Sequence, residues 1–404
     1  VYPKSAEDVS TTIKFALKHK IDIAVKGGGS SNRPTSSTEG GICIDLSKFK
    51  MVTVETATKR VTVQGGALWS DVYAAIAPHN LAMVGPVINA VGVGGSSLMG
   101  GYGWLTGKHG MTLDNIVSVE MVLASGEIVH ASEHQNEDLF WAVRGAGACF
   151  GVVTTFIFQA YTHDRMVWHG NLILPRSALD AAIEVANKVL QKGNEGVAAM
   201  GMLWGKAPGQ SQPGLVIISY YDGTEEDAKE FFKPLLDQKP FVNTTKMMPW
   251  NETPRPEPIV NSEKPLRRFG TGVSVIGPFD LSFFESLWDN YASFSADVED
   301  AKATVTNLVV HNPYVTMSKG QTDTAFPNRG HHSNFMVWTA WTEESNDTVC
   351  REWTLGMEEK MRSHREKTIR EQSGLDANTR ASVGQYSNDD GESILIPTLL
   401  VGFD

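Results

Sequence analysis

Three glycine clusters within the first 160 residues constrain this chain more than any other feature. Lys26-Gly27-Gly28-Gly29-Ser30-Ser31 follows the apolar run Ile21 to Val25. Gly92-Val93-Gly94-Gly95-Ser96-Ser97-Leu98-Met99-Gly100-Gly101-Tyr102-Gly103 is the second cluster. Arg144 to Thr154 is a third small-residue loop, leading into Val152 to Phe158. Glycine reaches φ > 0 and lets another group approach the main chain closely. Successive N–H groups in such a loop form a concave anion site. Any one cluster reads equally well as a tight turn. Three in succession ask for a common phosphate-bearing ligand.

Two familiar phosphate sites are excluded by pattern. A Walker loop needs Gly-Lys-Ser/Thr after a four-residue spacer, which the chain lacks. A dinucleotide fingerprint needs a third glycine opening a helix. Gly92-Val93-Gly94 continues to Ser97 and Gly145-Ala146-Gly147 to Phe150, and the residues after Gly94 lack helical patterning.

Around the clusters the chain reads as α+β. Ser5 caps a helix carrying Val9, Ile13, Ala16 and Leu17 at helical spacing. Gly41 to Leu46, Met51 to Glu55 and Arg60 to Gln64 read as strands, Leu68 to Ile76 as a helix. Val117 to Leu123 and Glu127 to His130 form a hairpin across Ser125-Gly126. After Tyr161 the clusters stop, and helices alternate with strands. Thr224 caps a helix over Glu225 to Leu236, and Trp338 and Trp341 share a strand region. This predicts a first domain over residues 1–165, a second over 166–370, and a segment over 371–404 that returns to the first.

With 404 residues and a formal charge of −11, the chain has room for two cores but no basic run for nucleic acid or an anionic membrane surface. Its apolar stretches are strand-sized, so none is read as a membrane span. Cys43, Cys149 and Cys350 are too few and too far apart for a disulfide framework or a metal site, although one bridge is possible. Three glycosylation triplets, at Asn243, Asn251 and Asn346, leave the compartment open.

The order and spacing of several segments resemble the FAD-binding domain of the vanillyl-alcohol-oxidase superfamily, of PCMH type. The segments are Gly27 to Ser31, Gly41 to Leu46, Val63-Gln64-Gly65-Gly66-Ala67, Val91 to Gly95, Gly100 to Gly103, His109 to Asn115 and Asp138 to Gly145. The chain is most similar to the berberine-bridge-enzyme-like branch. The resemblance is strong over residues 1–160, weaker across Tyr220 to Trp250 and Thr324 to Arg329, and resumes at Tyr386-Ser387-Asn388. It implies an FAD-linked oxidoreductase, an oxidase using dioxygen, acting on a small organic substrate, with secondary metabolism as one source of it. The fold implied is a two-subdomain FAD-binding domain plus an α+β substrate domain, an antiparallel sheet with helices, in a monomer or weak homo-oligomer.

By the same resemblance, Val25, Lys26, Gly27, Gly28, Gly29, Ser30, Ser31 and Asn32 surround the pyrophosphate. Pro86, Val91, Gly92, Gly94, Gly95, Ser96, Met99, Gly100 and Gly101 run along the isoalloxazine and ribityl chain, with His109, Gly110, Asp114 and Asn115 beside them. Gly151, Val152 and Val153 hold the adenosine end. Tyr386 and Asn388 match the branch's Tyr-x-Asn motif and are the catalytic candidates. His331, Asn334 and Trp338, with Tyr314, are candidates for the substrate pocket; adjacent His331 and His332 point apart on a strand and make no metal pair. Asp114 and Arg144 also read as braces for the loops.

The chain departs from the branch at the flavin tethers. Ser30 replaces the usual histidine, Ile88 the usual cysteine, and Ser96 a further histidine. Neither Ser30 nor Ile88 can form those bonds, so non-covalent FAD is expected. A loosely held flavin leaves an alternative open, a cyclase or pericyclase in which FAD is structural. The family pattern also runs on beyond Tyr-x-Asn, whereas this sequence ends at Gly402-Phe403-Asp404; the tail lies outside this sequence or the lid over the flavin is shorter.

Overall fold

A computed structural model describes residues 1–31, 34–205, 213–254 and 266–382. The helix Ala6–His19 starts where expected: Ser5 accepts a hydrogen bond from Asp8 N, and Lys20 ends it in a left-handed conformation. Its buried Val9 and Ile13 pack with Ile44 and Leu46 under the parallel pair Ile23–Lys26 and Ile42–Asp45. A five-stranded antiparallel sheet follows, ordered Val52–Glu55, Arg60–Gln64, Gly151–Gln159, Ile116–Leu123, Ile128–Ser132. The expected strands and the hairpin are all present, with ends shifted by one or two residues.

Two local expectations are corrected. Val93–Leu98 is a helix, although two of its six residues are glycine. Packing overrides the low glycine propensity, because Val93, Ser97 and Leu98 are buried together. The helix expected over Glu225 to Leu236 is two, Glu225–Phe231 and Lys233–Leu236. Pro234 has no N–H to continue the ladder.

The large sheet is antiparallel among the described residues. Its order is Val242–Asn243, Met166–Leu174, Gly214–Tyr221, Ala198–Gly205, Val305–His311, Ser333–Trp341, Arg267–Val275, and Lys246–Pro249 pairs with Met166–Leu174 as well. Side chains alternate between its faces. Trp168, Leu172, Met200, Met202, Trp204, Leu308, Phe335 and Val337 form one core with the helices Leu179–Val189 and Leu281–Asp297. Full burial of residues such as Phe335 and Val337 contributes about 1.5–3 kcal/mol each. The helix Asp347–Glu371 lies on the same face, where Glu358 accepts from Thr271 Oγ1 at 2.5 Å.

On the opposite face Val167, Ala199, Leu203, Ile218 and Tyr220 join the core of the five-stranded sheet. Trp104, just after the second glycine cluster, stacks on Tyr220 with ring centroids 5.6 Å apart and planes 5° from parallel. The two sheets are thereby docked through one end of the large sheet, and the second cluster is held against that end.

All three cysteines are free. Among the described residues no helix is long and apolar enough to cross a membrane.

Candidate cofactor cradle and substrate face

The glycine loops are packed on one another. A Cβ at Gly28 would lie 2.5 Å from Gly92 Cα, so neither loop tolerates a side chain where they cross. A Cβ at Gly147 would lie 2.6 Å from Leu98, so the third loop touches the second from the other side. Much of the glycine is therefore spent on loop-on-loop packing, a use the sequence reading did not separate from ligand approach. What remains outward is Gly28 to Ser31, Gly95, and Ala148 to Phe150, all exposed. A Cβ at Gly95 meets nothing within 4 Å. This strip of exposed backbone and small hydroxyl side chains over three touching loops fits an extended dinucleotide such as FAD.

The remaining cradle candidates fall into distinct groups. Lys26 Nζ is 3.2 Å from Asp45, and Val25 is half-buried beside it. Tyr73 donates to Pro86 O at 2.9 Å, and Trp69 N donates to Val91 O at 3.0 Å. Ser96 Oγ accepts from Trp69 Nε1 at 2.9 Å and donates to Gly92 O at 2.8 Å, so this hydroxyl holds the short helix in place. Gly100 and Gly101 have φ of 116° and 80°, and their carbonyls accept from Leu113 N and Thr112 N, with half-buried Met99 preceding them. Gly94 lies against Gly65 O, and Val152 and Val153 are buried in the sheet behind Gly151.

His109, Gly110, Asp114 and Asn115 form a packed block behind the second loop. Asn115 donates to His109 O and Met111 O and accepts from Tyr161 at 2.6 Å. The His109 ring stacks on Tyr161 at 3.6 Å, and burial, helped by Lys108, lowers its pKa to about 4. Asp114 accepts from Met111 N at 3.0 Å, beside Gly110 at φ 77°, and pairs with Arg329 at 2.8 Å. Arg144 packs over Phe140, 4.1 Å from the ring centroid. Asn32, Tyr386 and Asn388 lie outside the described residues.

Two ionic contacts between the loops and the large sheet were not foreseen. Arg329, fully buried, bridges Asp114 and Thr324. Asp222, following the strand Gly214–Tyr221, receives Lys108 at 2.5 Å and Arg165 at 2.6 and 3.0 Å, with His163 Nε2 at 3.5 Å. Burial alone would raise its pKa, but hydrogen bonds from His163, Arg165 and Lys108 outweigh it and hold Asp222 well below the usual carboxylate range. A lone carboxylate closing a long apolar strand was the only signal available for it.

Beyond the docked end, the face of the large sheet carries buried polar atoms with no hydrogen-bond partner among the described residues: Asn334 Oδ1, Ser274 Oγ, Asn307 Oδ1 and His311 Nδ1. Ser274 pairs directly with Asn334, and Asn334 with Val309, whose neighbours Asn307 and His311 point the same way. An unpaired buried group of this kind costs about 1–3 kcal/mol. Trp338 lies on the same face, 39% exposed.

The second glycine cluster reaches this face through Tyr102. Its hydroxyl lies 3.1 Å from His332 Nε2, and its ring lies 5.0 Å from that of His311. His332 Nδ1 is 2.8 Å from Gly330 O, and a carbonyl only accepts. Nδ1 therefore carries the proton and Nε2 accepts from Tyr102. Burial lowers the pKa of His332 to about 4 and that of His311 to about 3. His331 turns away, its Cε1 3.6 Å from a Cβ built at Gly277 and its ring 6.4 Å from Tyr314. The structure thus brings Asn334, Trp338 and His332 to one face and leaves His331 off it. Among the described residues no group of three or more potential ligands could hold a metal.

Loops that cross on bare backbone thus lie beside a sheet face with unspent hydrogen-bonding atoms. Residues 1–132 match a family described as FAD binding domain. The FAD-linked oxidoreductase pgmH of Aspergillus terreus is 35% identical over 268 residues, 65% of this chain and 54% of that protein. The (R)-6-hydroxynicotine oxidase of Paenarthrobacter nicotinovorans is 34% identical over 195 residues, 46% of this chain and 43% of that one. The chain thus spans about half the length of these curated relatives. Among solved structures, berberine bridge enzyme from Eschscholzia californica aligns with a TM-score of 0.76 at 21% identity, over 90% of this chain and 75% of that one. A chitooligosaccharide oxidase aligns at 0.77 and 21% identity, over 97% and 83%. Residues 1–132 thus match the FAD binding domain family, and the chain shares the fold of berberine bridge enzyme.

Proposed function

We propose that this chain is an FAD-dependent oxidoreductase, an oxidase, acting on a small organic molecule between the glycine loops and the free face of the large sheet. The observation that carries this reading is the contact from the second glycine cluster, through Tyr102 and His332, to a face whose Asn334, Ser274, Asn307 and His311 hold unpartnered buried atoms. The relatives named above, an FAD-linked oxidoreductase and an oxidase, support it.

When bound, FAD supplies a two-electron acceptor for hydride from a carbon beside oxygen or nitrogen. Gly27 to Ser31, Val91 to Gly101 and Gly147 to Val153 hold the cofactor, chiefly by backbone. Ser30 and Ile88 leave it untethered. Tyr102 is fixed by His332 at the edge of the pocket, and Asn334 and Ser274 orient the substrate. Closing that face to water strengthens each polar contact. The proton released on oxidation passes to Tyr386, assigned from the Tyr-x-Asn match alone. Dioxygen is the final acceptor, reaching the site past Val91.

The test is anaerobic mixing of the FAD-loaded protein with alcohols, sugars, alkaloids and phenolics. Bleaching of the flavin by at least one supports the oxidoreductase. Steady product formation without bleaching replaces it with a non-redox cyclase. In Tyr386→Phe the rate of bleaching should fall by about 10²–10⁴-fold while FAD is retained. An unchanged rate removes Tyr386 from the proton path.

A further inference from the structure

We propose that the free face of the large sheet selects an uncharged ligand bearing two or more hydroxyl groups, with Asn334 and Ser274 as its central contacts. This rests on the preceding reading of that face as the substrate surface.

Asn334 is 4% exposed and Ser274 fully buried, yet Asn334 Oδ1 and Ser274 Oγ have no partner among the described residues. The two residues are directly paired across adjacent strands. Directly opposed side chains lie about 5 Å apart at Cβ. Asn307 and His311 flank Val309, the residue opposite Asn334 on its other side, and each contributes a further unpartnered atom. Four hydrogen-bonding groups thus surround one point of the sheet. Buried polar groups in native interiors are mostly hydrogen-bonded, so four unmet ones around a single point mark a place for a ligand.

A side-chain amide oxygen accepts and a serine hydroxyl both donates and accepts. A ligand hydroxyl satisfies each of these, and it satisfies Asn334 whichever way the amide is turned. Aprotic ethers and hydrocarbons leave the acceptors unpaired.

On this face the strands Val305–His311, Ser333–Trp341 and Arg267–Val275 present Val305, Asn307, Val309, His311, Asn334, Met336, Trp338, Ala340, Gly270, Gly272 and Ser274, none of them an acid or a lysine. Arg268, which is exposed, stands six residues from Ser274 along its strand, about 20 Å by strand rise. His311 is buried and neutral near pH 7, and so is His332 beside it. A carboxylate or ammonium brought to Asn334 would find no counter-charge on these three strands, the Arg365 guanidinium that acts on His332 reaching from the helix Asp347–Glu371, and burying it there is strongly unfavourable. Met336 and Trp338 continue the face as apolar surface.

The shared chemistry has two sources, hydroxylated rings and sugars, and the experiment separates them. Resorcinol and glucose serve as neutral probes, with 2,4-dihydroxybenzoate and glucuronate as charged counterparts, titrated calorimetrically into FAD-loaded protein without oxygen. At least one neutral probe should bind, and its carboxylate counterpart at least about tenfold more weakly. Binding of resorcinol alone assigns the face to hydroxylated rings, and binding of glucose alone to sugars. Asn334→Leu should weaken the neutral probe by about tenfold or more with FAD content unchanged. Ser274→Ala, a smaller change, should weaken it in the same direction if Asn334→Leu fails to fold. Equal or tighter binding of the carboxylate, no binding of either neutral probe, or unaltered binding in Ser274→Ala would each overturn the proposal. A protein that binds the neutral probe but is never reduced by any substrate keeps this inference and loses the redox reading.

Discussion

Arg329 Nη1 sits 2.8 and 3.0 Å from the two carboxylate oxygens of Asp114, with both side chains almost fully buried. The pair joins the turn behind the second glycine loop to a segment 215 residues further along. Asp114 also accepts from Met111 N, so the same carboxylate shapes the turn at Gly110. Removing one partner leaves the other buried and unpaired. Arg329→Met should therefore destabilise the protein by about 3–5 kcal/mol. Urea unfolding measures this, and a loss below about 1 kcal/mol would show that the pair is dispensable.

Gly95 and Gly92 separate two uses of glycine. A Cβ at Gly92 would come 2.5 Å from Gly28 N, whereas one at Gly95 meets nothing. Gly92→Ala should lower both stability and FAD affinity, because the loops can no longer cross. Gly95→Ala should leave the apo protein as stable or slightly more so, by about 0.5–1 kcal/mol for a helical position, yet weaken FAD. Unfolding curves paired with FAD titrations distinguish these. Undiminished FAD affinity in Gly95→Ala would remove that backbone from the cofactor surface.

Stability should also depend on the buried histidines. His332 and His311 have pKa values of about 4 and about 3 in the fold, below the ordinary 6.5. Between pH 6.5 and 4 the unfolded chain binds protons that the folded one does not. Stability is therefore full above pH 6.5 and falls as pH drops through this window, by about 1.4 kcal/mol per pH unit for each histidine. His332→Gln, which stays neutral, should flatten the curve. Unfolding midpoints from pH 7 to 4 test this, and an unchanged slope in the variant would assign the acid sensitivity elsewhere.

Ser30 and Ile88 cannot tether a flavin, so acid precipitation should release all yellow colour to the supernatant. Colour in the pellet would show a covalent link, and tryptic mapping would locate it. In Val91→Leu, air reoxidation of the reduced protein should slow while its reduction by substrate continues. Equal reoxidation rates would remove Val91 from the oxygen path.

Much of the fold was legible where its signals are local. Ser5 and Thr224 cap their helices, and the apolar runs around the clusters become strands. The glycine loops announced themselves by composition, but their division between loop packing and ligand approach depends on a crossing between Gly28 and Gly92 that no window contains. The polar face of the large sheet was harder to read. Asn334 was singled out, while Ser274, Asn307 and His311 were missed. Both faces of these strands are largely buried, so a polar residue among apolar ones carries no alternation signal. Only the register between strands brings the four together. Asp222 and Arg329 were invisible as partners for the same reason, since charge pairing over such separations leaves no trace in spacing.

The central claim is that these loops hold FAD reversibly, and fluorescence titration tests it most directly. Protein stripped of flavin by acid treatment and refolded, or purified colourless, is mixed with increasing FAD, and quenching of flavin emission is followed together with the retained absorbance after gel filtration. The account expects saturable binding at one FAD per chain, lost in Gly92→Ala and weakened in Gly95→Ala. A folded protein that leaves FAD emission unchanged and elutes without flavin absorbance would contradict it.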